Sequence, residues 1–303
     1  MKLKLALLAF AVVTIALLSR NQTPTVSIWV SNSDQLVEVT GDRQIEDVYS
    51  PSISPDGKSM IVSQGQAGIL TLLNLDDLTT EWAFASAGLT TVARWSPNGE
   101  LIAFGGIADG QSADLWLINA NGSNPRLIMT HAIVLNWIDD ANLVVYSRER
   151  ETDLWRFNIN GSLTQLTDIP AFFRSDTSIW GNQIAFDTFD RGVFITSGSD
   201  TVMVDAKAKK PAFSNNGDLA YVRYLQAAAF ELVICHNNES KVVYASLTDH
   251  PPFIDQLRWG ADGRLYFILT DRNTADAKLM SMDENGDLIT LYHGLPGLYY
   301  EIH

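Results

Sequence analysis

The sequence predicts an all-β chain, a β-propeller of four-stranded antiparallel blades, and three observations carry that prediction. The run Arg94-Trp95-Ser96-Pro97-Asn98-Gly99-Glu100-Leu101-Ile102-Ala103-Phe104, continued by Asp114-Leu115-Trp116-Leu117-Ile118-Asn119, reads as strand, polar turn, strand, polar loop, strand. The same pattern recurs with a step of about forty residues, the period of four-stranded propeller blades. Helical spacing of apolar residues is absent beyond the N-terminal segment.

That segment comes first. Lys2 and Lys4 precede Leu5 to Leu18, an apolar run broken only by Thr14, and Ser19 and Arg20 follow. A positive start before a short apolar stretch is the export pattern. As a helix the run reaches about 21 Å, short of the ~30 Å hydrocarbon core, which favours a signal peptide over residues 1–20. Leu17-Leu18-Ser19 is a poor small-x-small cleavage site, so an uncleaved membrane anchor stays open. Either way the rest, with residues 27–303 as a single propeller domain, is expected outside the cytoplasm, periplasmic or anchored to the inner membrane facing the periplasm.

The repeats align on the aromatic or branched residue before the first turn: Ile53, Trp95, Trp137, Trp180, Phe213 and Trp259. An apolar strand follows each, such as Leu101-Ile102-Ala103-Phe104 and Leu143-Val144-Val145-Tyr146. Near-continuous apolarity means a strand covered on both faces, as between neighbouring blades. Asn121-Gly122 and Asn160-Gly161 supply the positive φ that tight hairpins need before the fourth strands. The step from Trp180 to Phe213 is short, so that blade has trimmed loops. By register the Trp series is blade core, and Trp82, outside it, is the better candidate for an exposed ring.

The two ends are expected to meet. Ser27-Ile28-Trp29-Val30 aligns with the third strand Asp114-Leu115-Trp116-Leu117, and Leu36 to Thr40 with the strand after it, so residues 27–40 read as an outer hairpin lacking its inner strands. At the other end Gly294-Leu295-Pro296-Gly297-Leu298 resembles the inter-blade link Asp168-Ile169-Pro170-Ala171-Phe172, which places Tyr299 to His303 in an innermost strand. The preferred count is six full blades plus one composite blade closed by both termini. The alternative is a plain six-bladed ring with the hairpin added at an edge.

Composition narrows the function. Lys plus Arg is 21 against Asp plus Glu at 35, a formal charge of −14, which repels a phosphate backbone and argues against nucleic acid. Cys235 is the only cysteine, lies in the run Leu232-Val233-Ile234, and reads as a small hydrophobe in place of a reactive thiol. Asn-x-Ser/Thr triplets at Asn121, Asn160 and Asn238 are accounted for by hairpin turns.

Strand order fixes the faces. First-to-second and third-to-fourth turns share one rim and are tight; second-to-third loops and blade-to-blade links share the other. Those loops (Gly105 to Ala113, Ser147 to Asp153, Thr188 to Gly192, Arg223 to Phe230, Thr270 to Lys278) are longer and richer in charge, where binding is expected. The candidate binding residues there are Arg148, Arg150, Asp190, Arg191, Asp271 and Arg272, whose arginines would pair with carboxylates of a partner. Catalysis finds no support: His131, His236, His250, His293 and His303 lack metal-ligand spacing, and no Gly-x-Ser-x-Gly elbow exists. No metal or cofactor is expected.

The unit Trp95-Ser96-Pro97-Asn98-Gly99 … Leu101 to Phe104 … Asp114 to Asn119 resembles the repeat of TolB-like β-propellers. Ser54-Pro55-Asp56-Gly57-Lys58 matches that family's signature most closely, and Thr164-Gln165-Leu166-Thr167-Asp168 is similar to its blade-ending strand. The resemblance covers about residues 49–294 and departs at Ile138 to Asn142 and in the shortened fourth repeat. It implies the fold and carries no active site to these residues.

Three functions follow as expectations. The leading one is a non-enzymatic, exported, monomeric scaffold binding a protein or peptide of the cell envelope through its long-loop face. The second is a membrane-tethered sensor, since such propellers also resemble the extracytoplasmic halves of winged-helix transcription regulators. The third is a propeller lyase, lactonase or hydrolase with a site at the channel mouth, assembled from different blades and so invisible to spacing.

Overall fold

A computed structural model gives the architecture. It describes residues 27–301 except 33–34, 39–47, 65–68, 86–91, 108–112, 148–153, 170–175, 189, 199, 226–228, 248–251, 261, 272–275, 284 and 295–297. The expected export segment therefore lies outside the described residues.

All regular elements described are strands. The N-terminal hairpin is β1 (Ser27–Asn32) and β2 (Gln35–Glu38). Blade 1 is β3 (Val48–Ile53), β4 (Ser59–Gln64), β5 (Ile69–Asn74) and β6 (Thr80–Ala85). Blade 2 is β7 (Ala93–Trp95), β8 (Leu101–Ile107), β9 (Ala113–Asn119) and β10 (Arg126–Met129). Blade 3 is β11 (Ala132–Asp139), β12 (Asn142–Ser147), β13 (Leu154–Asn158) and β14 (Leu163–Gln165). Blade 4 is β15 (Thr177–Trp180), β16 (Gln183–Thr188), β17 (Gly192–Ser197) and β18 (Asp200–Asp205). Blade 5 is β19 (Ala208–Phe213), β20 (Leu219–Tyr224), β21 (Phe230–His236) and β22 (Glu239–Ser246). Blade 6 is β23 (Phe253–Trp259), β24 (Leu265–Thr270), β25 (Ala277–Met282) and β26 (Leu288–Gly294), and β27 (Leu298–Glu301) ends the order.

Six sheets are four-stranded antiparallel meanders, and the seventh has three strands in the order β2-β1-β27. The chain ends thus share one sheet that falls short of a full blade, so the propeller has six four-stranded blades, the alternative count, and the preferred seventh, composite blade is not completed. β1 pairs with β27 in parallel, Ser27 opposite Leu298 and Val30 opposite Glu301. In an up-and-down meander the first and third strands run the same way. Setting a first strand directly beside a third, with the second left out, makes that pair parallel.

The core lies between blades. In blade 3, Leu143 and Val145 pack with Leu115 and Leu117 of blade 2, whereas Val144 and Tyr146 pack with Ile184 and Phe186 of blade 4. Period-two alternation sends successive side chains to opposite neighbours, so each second strand is apolar on both faces. Each fully buried aliphatic or aromatic side chain there contributes about 1.5–3 kcal/mol.

The recurrent Ser-Pro-x-Gly segment closes the first turn of a blade. Ser54 Oγ accepts the Ser59 N–H at 2.9 Å, and Ser96 Oγ accepts the Leu101 N–H at 2.9 Å. Ser214 does the same for Asp218 at 2.9 Å. The tryptophan before the turn ties its blade to the previous one. Trp95 Nε1 donates to Ser52 O at 3.1 Å, Trp137 to Arg94 O at 3.0 Å and Trp259 to Ala212 O at 3.1 Å.

Two tryptophans depart from expectation. Trp180 is 41% exposed, and its indole donates forward to Asn215 O of blade 5 at 3.2 Å. Trp82 is half-buried: its indole donates to Ala120 O at 2.9 Å and lies over Gly122, where a Cβ would come within 2.9 Å of the ring. Cys235 is half-buried against the core between blades 4 and 5.

Candidate functional site

Of the second-to-third loops on the expected binding rim, the structure describes the one between β16 and β17 most fully. Thr188 pairs with Gly192, so β16 and β17 join through a tight three-residue turn. Gly192, at φ +99°, permits that turn; a Cβ there would sit 2.0 Å from Asp205 O. Asp190 and Arg191 are exposed on it, and the Arg191 N–H donates to Thr188 Oγ1 at 3.0 Å. Asp271 is half-buried, with its N–H donating to Asp276 O at 2.8 Å. Arg148, Arg150 and Arg272, like His250 and His303, lie outside the described residues.

On this rim, at the innermost strands of blades 4 to 6, a charged network gathers residues that no sequence pattern singles out. Lys210 follows a bulge: the pairing of β19 with β20 shifts between Lys209 and Ala212, and Lys210 takes φ 55°. Bulges re-aim side chains, and a positive φ in lysine is uncommon and strained. Lys210 Nζ lies 2.8 Å from Asp255 Oδ1 of blade 6 and 3.5 Å from Asp176 Oδ2 of blade 4. Asp255 sits at the corresponding bulge of β23, where Gln256 takes φ 51° and donates its N–H to Asp255 Oδ1 at 3.0 Å.

Below this pair lies Asp187, the penultimate residue of β16, 7% exposed. Its Oδ1 accepts the Asp176 N–H at 2.9 Å and its Oδ2 accepts the Lys210 N–H at 3.1 Å. One carboxylate therefore holds the start of the innermost strand in blade 4 and the strained bulge in blade 5. Lys209 adds a bond from Nζ to Thr188 O.

The electrostatics follow from burial and these neighbours. Burial pushes Asp187 up to about 6, with the Asp176 carboxylate adding to the rise; the Lys210 N–H, Lys209 and the Asp176 N–H oppose it. Burial works against the Lys210 ammonium, yet Asp176 and Asp255 outweigh it and raise that group above the usual lysine range. Lys209 is lowered by burial, against the pull of Asp187 and Asp190. A second tie lies further out: Arg223 Nε donates to Asp205 Oδ2 of blade 4 at 2.6 Å and its Nη1 to Glu231 Oε2 at 3.0 Å.

A groove of about 520 Å³ opens on the opposite, short-turn rim between blades 5 and 6, lined by residues including Ser214, Asp218, His236, Lys241 and Trp259. Several of its polar groups are engaged within the turns: Ser214 Oγ accepts the Asn216 and Asp218 N–H groups, and the His236 ring bonds Asp218 and Asn237. The mouth likewise keeps Asp176 and Asp255 39% and 48% exposed while anchored to Lys210, and it gathers charges of three blades where the groove lies between two. It is the stronger candidate. Among the described residues no group of three or more His, Cys, Asp or Glu side chains could hold a metal ion.

No family model matches the chain. Solved structures match it in fold. A putative TolB from Agrobacterium tumefaciens is 17% identical and aligns over 86% of this chain and 85% of its own, with a TM-score of 0.51. The fold is that of a TolB-like propeller. The Cps50 (Swd1) β-propeller domain of Myceliophteria thermophila is 11% identical over 84% of this chain and 90% of its own, with a TM-score of 0.63. A prolyl endopeptidase is 13% identical over 88% of this chain, with a TM-score of 0.63, and the match spans 46% of that protein. At such identities the likeness is one of fold, and function has to be argued from the site.

The signal for the site is present in the sequence but faint. Asp187 closes Ile184-Ala185-Phe186-Asp187, a strand otherwise apolar after Gln183, and Lys209-Lys210 interrupt a strand that reads Ala208 … Pro211-Ala212-Phe213. Charge inside such strands marks a place where the ring places partners that sequence spacing does not.

Proposed function

We propose that this TolB-like propeller is an exported, non-enzymatic scaffold that binds a protein or peptide partner of the cell envelope at its long-loop face. The binding centre is the channel mouth at blades 4 to 6. The observation that carries this reading is Lys210, clamped between Asp176 and Asp255 so that charges from three blades converge with both carboxylates half open to solvent. Asp190 and Arg191 extend that surface outward, and Asp271 lies at the loop after β24 in blade 6. By sequence, Arg148, Arg150 and Arg272 belong to loops of the same rim. With a chain charge of −14, long-range attraction favours a partner that presents basic groups to Asp176 and Asp255, while the rim arginines would pair with carboxylates around them. The monomer acts without nucleic acid or cofactor. Affinity capture from an envelope extract tests this, using wild type and an Asp176→Asn/Asp255→Asn variant. A partner retained by wild type and lost by the variant supports the mouth; identical profiles remove it.

The second reading, a membrane-tethered sensor, is favoured by Lys2, Lys4 and the apolar run Leu5 to Leu18 followed by a poor cleavage site. Cell fractionation separates the two. A chain shortened by about twenty residues in the soluble periplasm, as a signal peptide predicts, rules out the tether.

A further inference from the structure

We infer that Asp187 is a proton-operated pin between blades 4 and 5, and that its protonation resets the channel mouth while the ring stays folded. The geometry is a two-armed acceptor. One buried carboxylate takes the Asp176 N–H on Oδ1 and the Lys210 N–H on Oδ2, at 2.9 and 3.1 Å. The ionised form can accept on both oxygens. The neutral acid carries a proton on one of them, so that oxygen becomes a donor. The N–H on that oxygen then faces a weaker acceptor and a competing proton, and the new O–H requires a partner of its own.

The groups facing the pin determine how the mouth responds to that proton. Asp176 stands ahead of β15, Asp190 is on the β16–β17 turn, Lys209 and Lys210 are on β19, and Asp255 and Tyr224 reach it through Lys210. The Asp176 carboxylate lies near enough for its charge to oppose ionisation of Asp187. Weakening the Asp176 N–H bond loosens the segment that holds the Asp176 carboxylate against Lys210, so the ammonium then rests chiefly on Asp255. Lys210 is also the residue whose φ of 55° the Asp187 oxygen helps to hold. Releasing its N–H lets the bulge relax and moves the ammonium at the mouth. The midpoint of about 6 places this change within a mildly acidic range.

The pin stands on its own hydrogen bonds; its bearing on binding rests on the mouth being the partner site. Two readouts on the full chain keep these apart. The first is amide NMR of Lys210 and Asp176 through a pH titration of wild type and Asp187→Asn. Both amides should move together in wild type with a midpoint near 6 and lose that inflection in the variant. Amides that do not titrate, or titrate equally in the variant, overturn the pin whatever binds. The second is binding of an oligoarginine peptide at neutral and mildly acidic pH. In wild type it should weaken by about fivefold on acidification, the effect of one charge a few ångströms away in watery surroundings, with no such change in the variant. Linked amides with no peptide binding at any pH support the pin and overturn the mouth as a site for basic partners. Linked amides with peptide binding insensitive to pH overturn the resetting of the mouth.

Discussion

Asp187 Oδ2 in blade 4 accepts the backbone N–H of Lys210 in blade 5 at 3.1 Å, across 23 residues of sequence. Asp187 has little solvent of its own, and Lys210 holds a conformation lysine seldom takes. The pair joins a buried titrating group to a half-buried cation whose partners are Asp176 of blade 4 and Asp255 of blade 6.

The first prediction concerns stability and pH. The folded value of Asp187 is about 6 against an ordinary 3.8, so between those values the folded chain holds more protons than the unfolded one. The resulting stabilisation is full below about 3.8 and is lost as pH rises through about 6. A rise of roughly two units corresponds to about 3 kcal/mol for this buried group. Thermal unfolding of wild type across that window should show the loss, and Asp187→Asn should flatten it.

The inter-blade tryptophans give a second. Trp137→Phe keeps most of the ring volume but leaves Arg94 O without its donor at 3.0 Å. The expected cost is about 1–3 kcal/mol, read from the denaturant midpoint. Trp180→Phe should cost less, because Trp180 is 41% exposed and water can replace its bond to Asn215 O.

Those two residues also show what the sequence could carry. The forty-residue period, the Ser-Pro-x-Gly turns and the doubly apolar strands are local patterns repeated along the chain, and they define blades and rims directly. The shared sheet of both ends is legible because its segments match third, fourth and first strands elsewhere. Trp180 and Trp82 escape the pattern because position in a repeat does not say which neighbour an indole turns toward. The charged mouth is hidden for a stronger reason. Lys210 meets partners 34 residues before it and 45 after it, and it reaches them through a bulge that no residue pattern announces.

Gly192→Ala is the third prediction. Its φ is +99° and the new methyl would lie 2.0 Å from Asp205 O, so the backbone of blade 4 must shift. A loss of about 3 kcal/mol or more is expected by chemical unfolding. Gly161→Ala, at φ +100° with nothing within 4 Å, should cost only about 1–2 kcal/mol for the left-handed backbone.

Ring closure supplies the fourth. β27 pairs with β1, and β27 also lies against β3 of blade 1. Deleting residues 298–303 removes the only described partner of β1 on that side. Hydrogen exchange should then rise in β1, β2 and β3 and stay near wild type in blades 3 to 5. Uniform exchange would show that the shared sheet does not close the ring.

The most direct test of the binding face is site-specific photo-crosslinking in cells, with the reactive residue placed at Asp190 beside the mouth or at Asn216 on the short-turn rim. A discrete adduct with an envelope protein is expected from position 190 and none from position 216. Adducts from position 216 alone would place the partner on the opposite rim and contradict the proposed binding face.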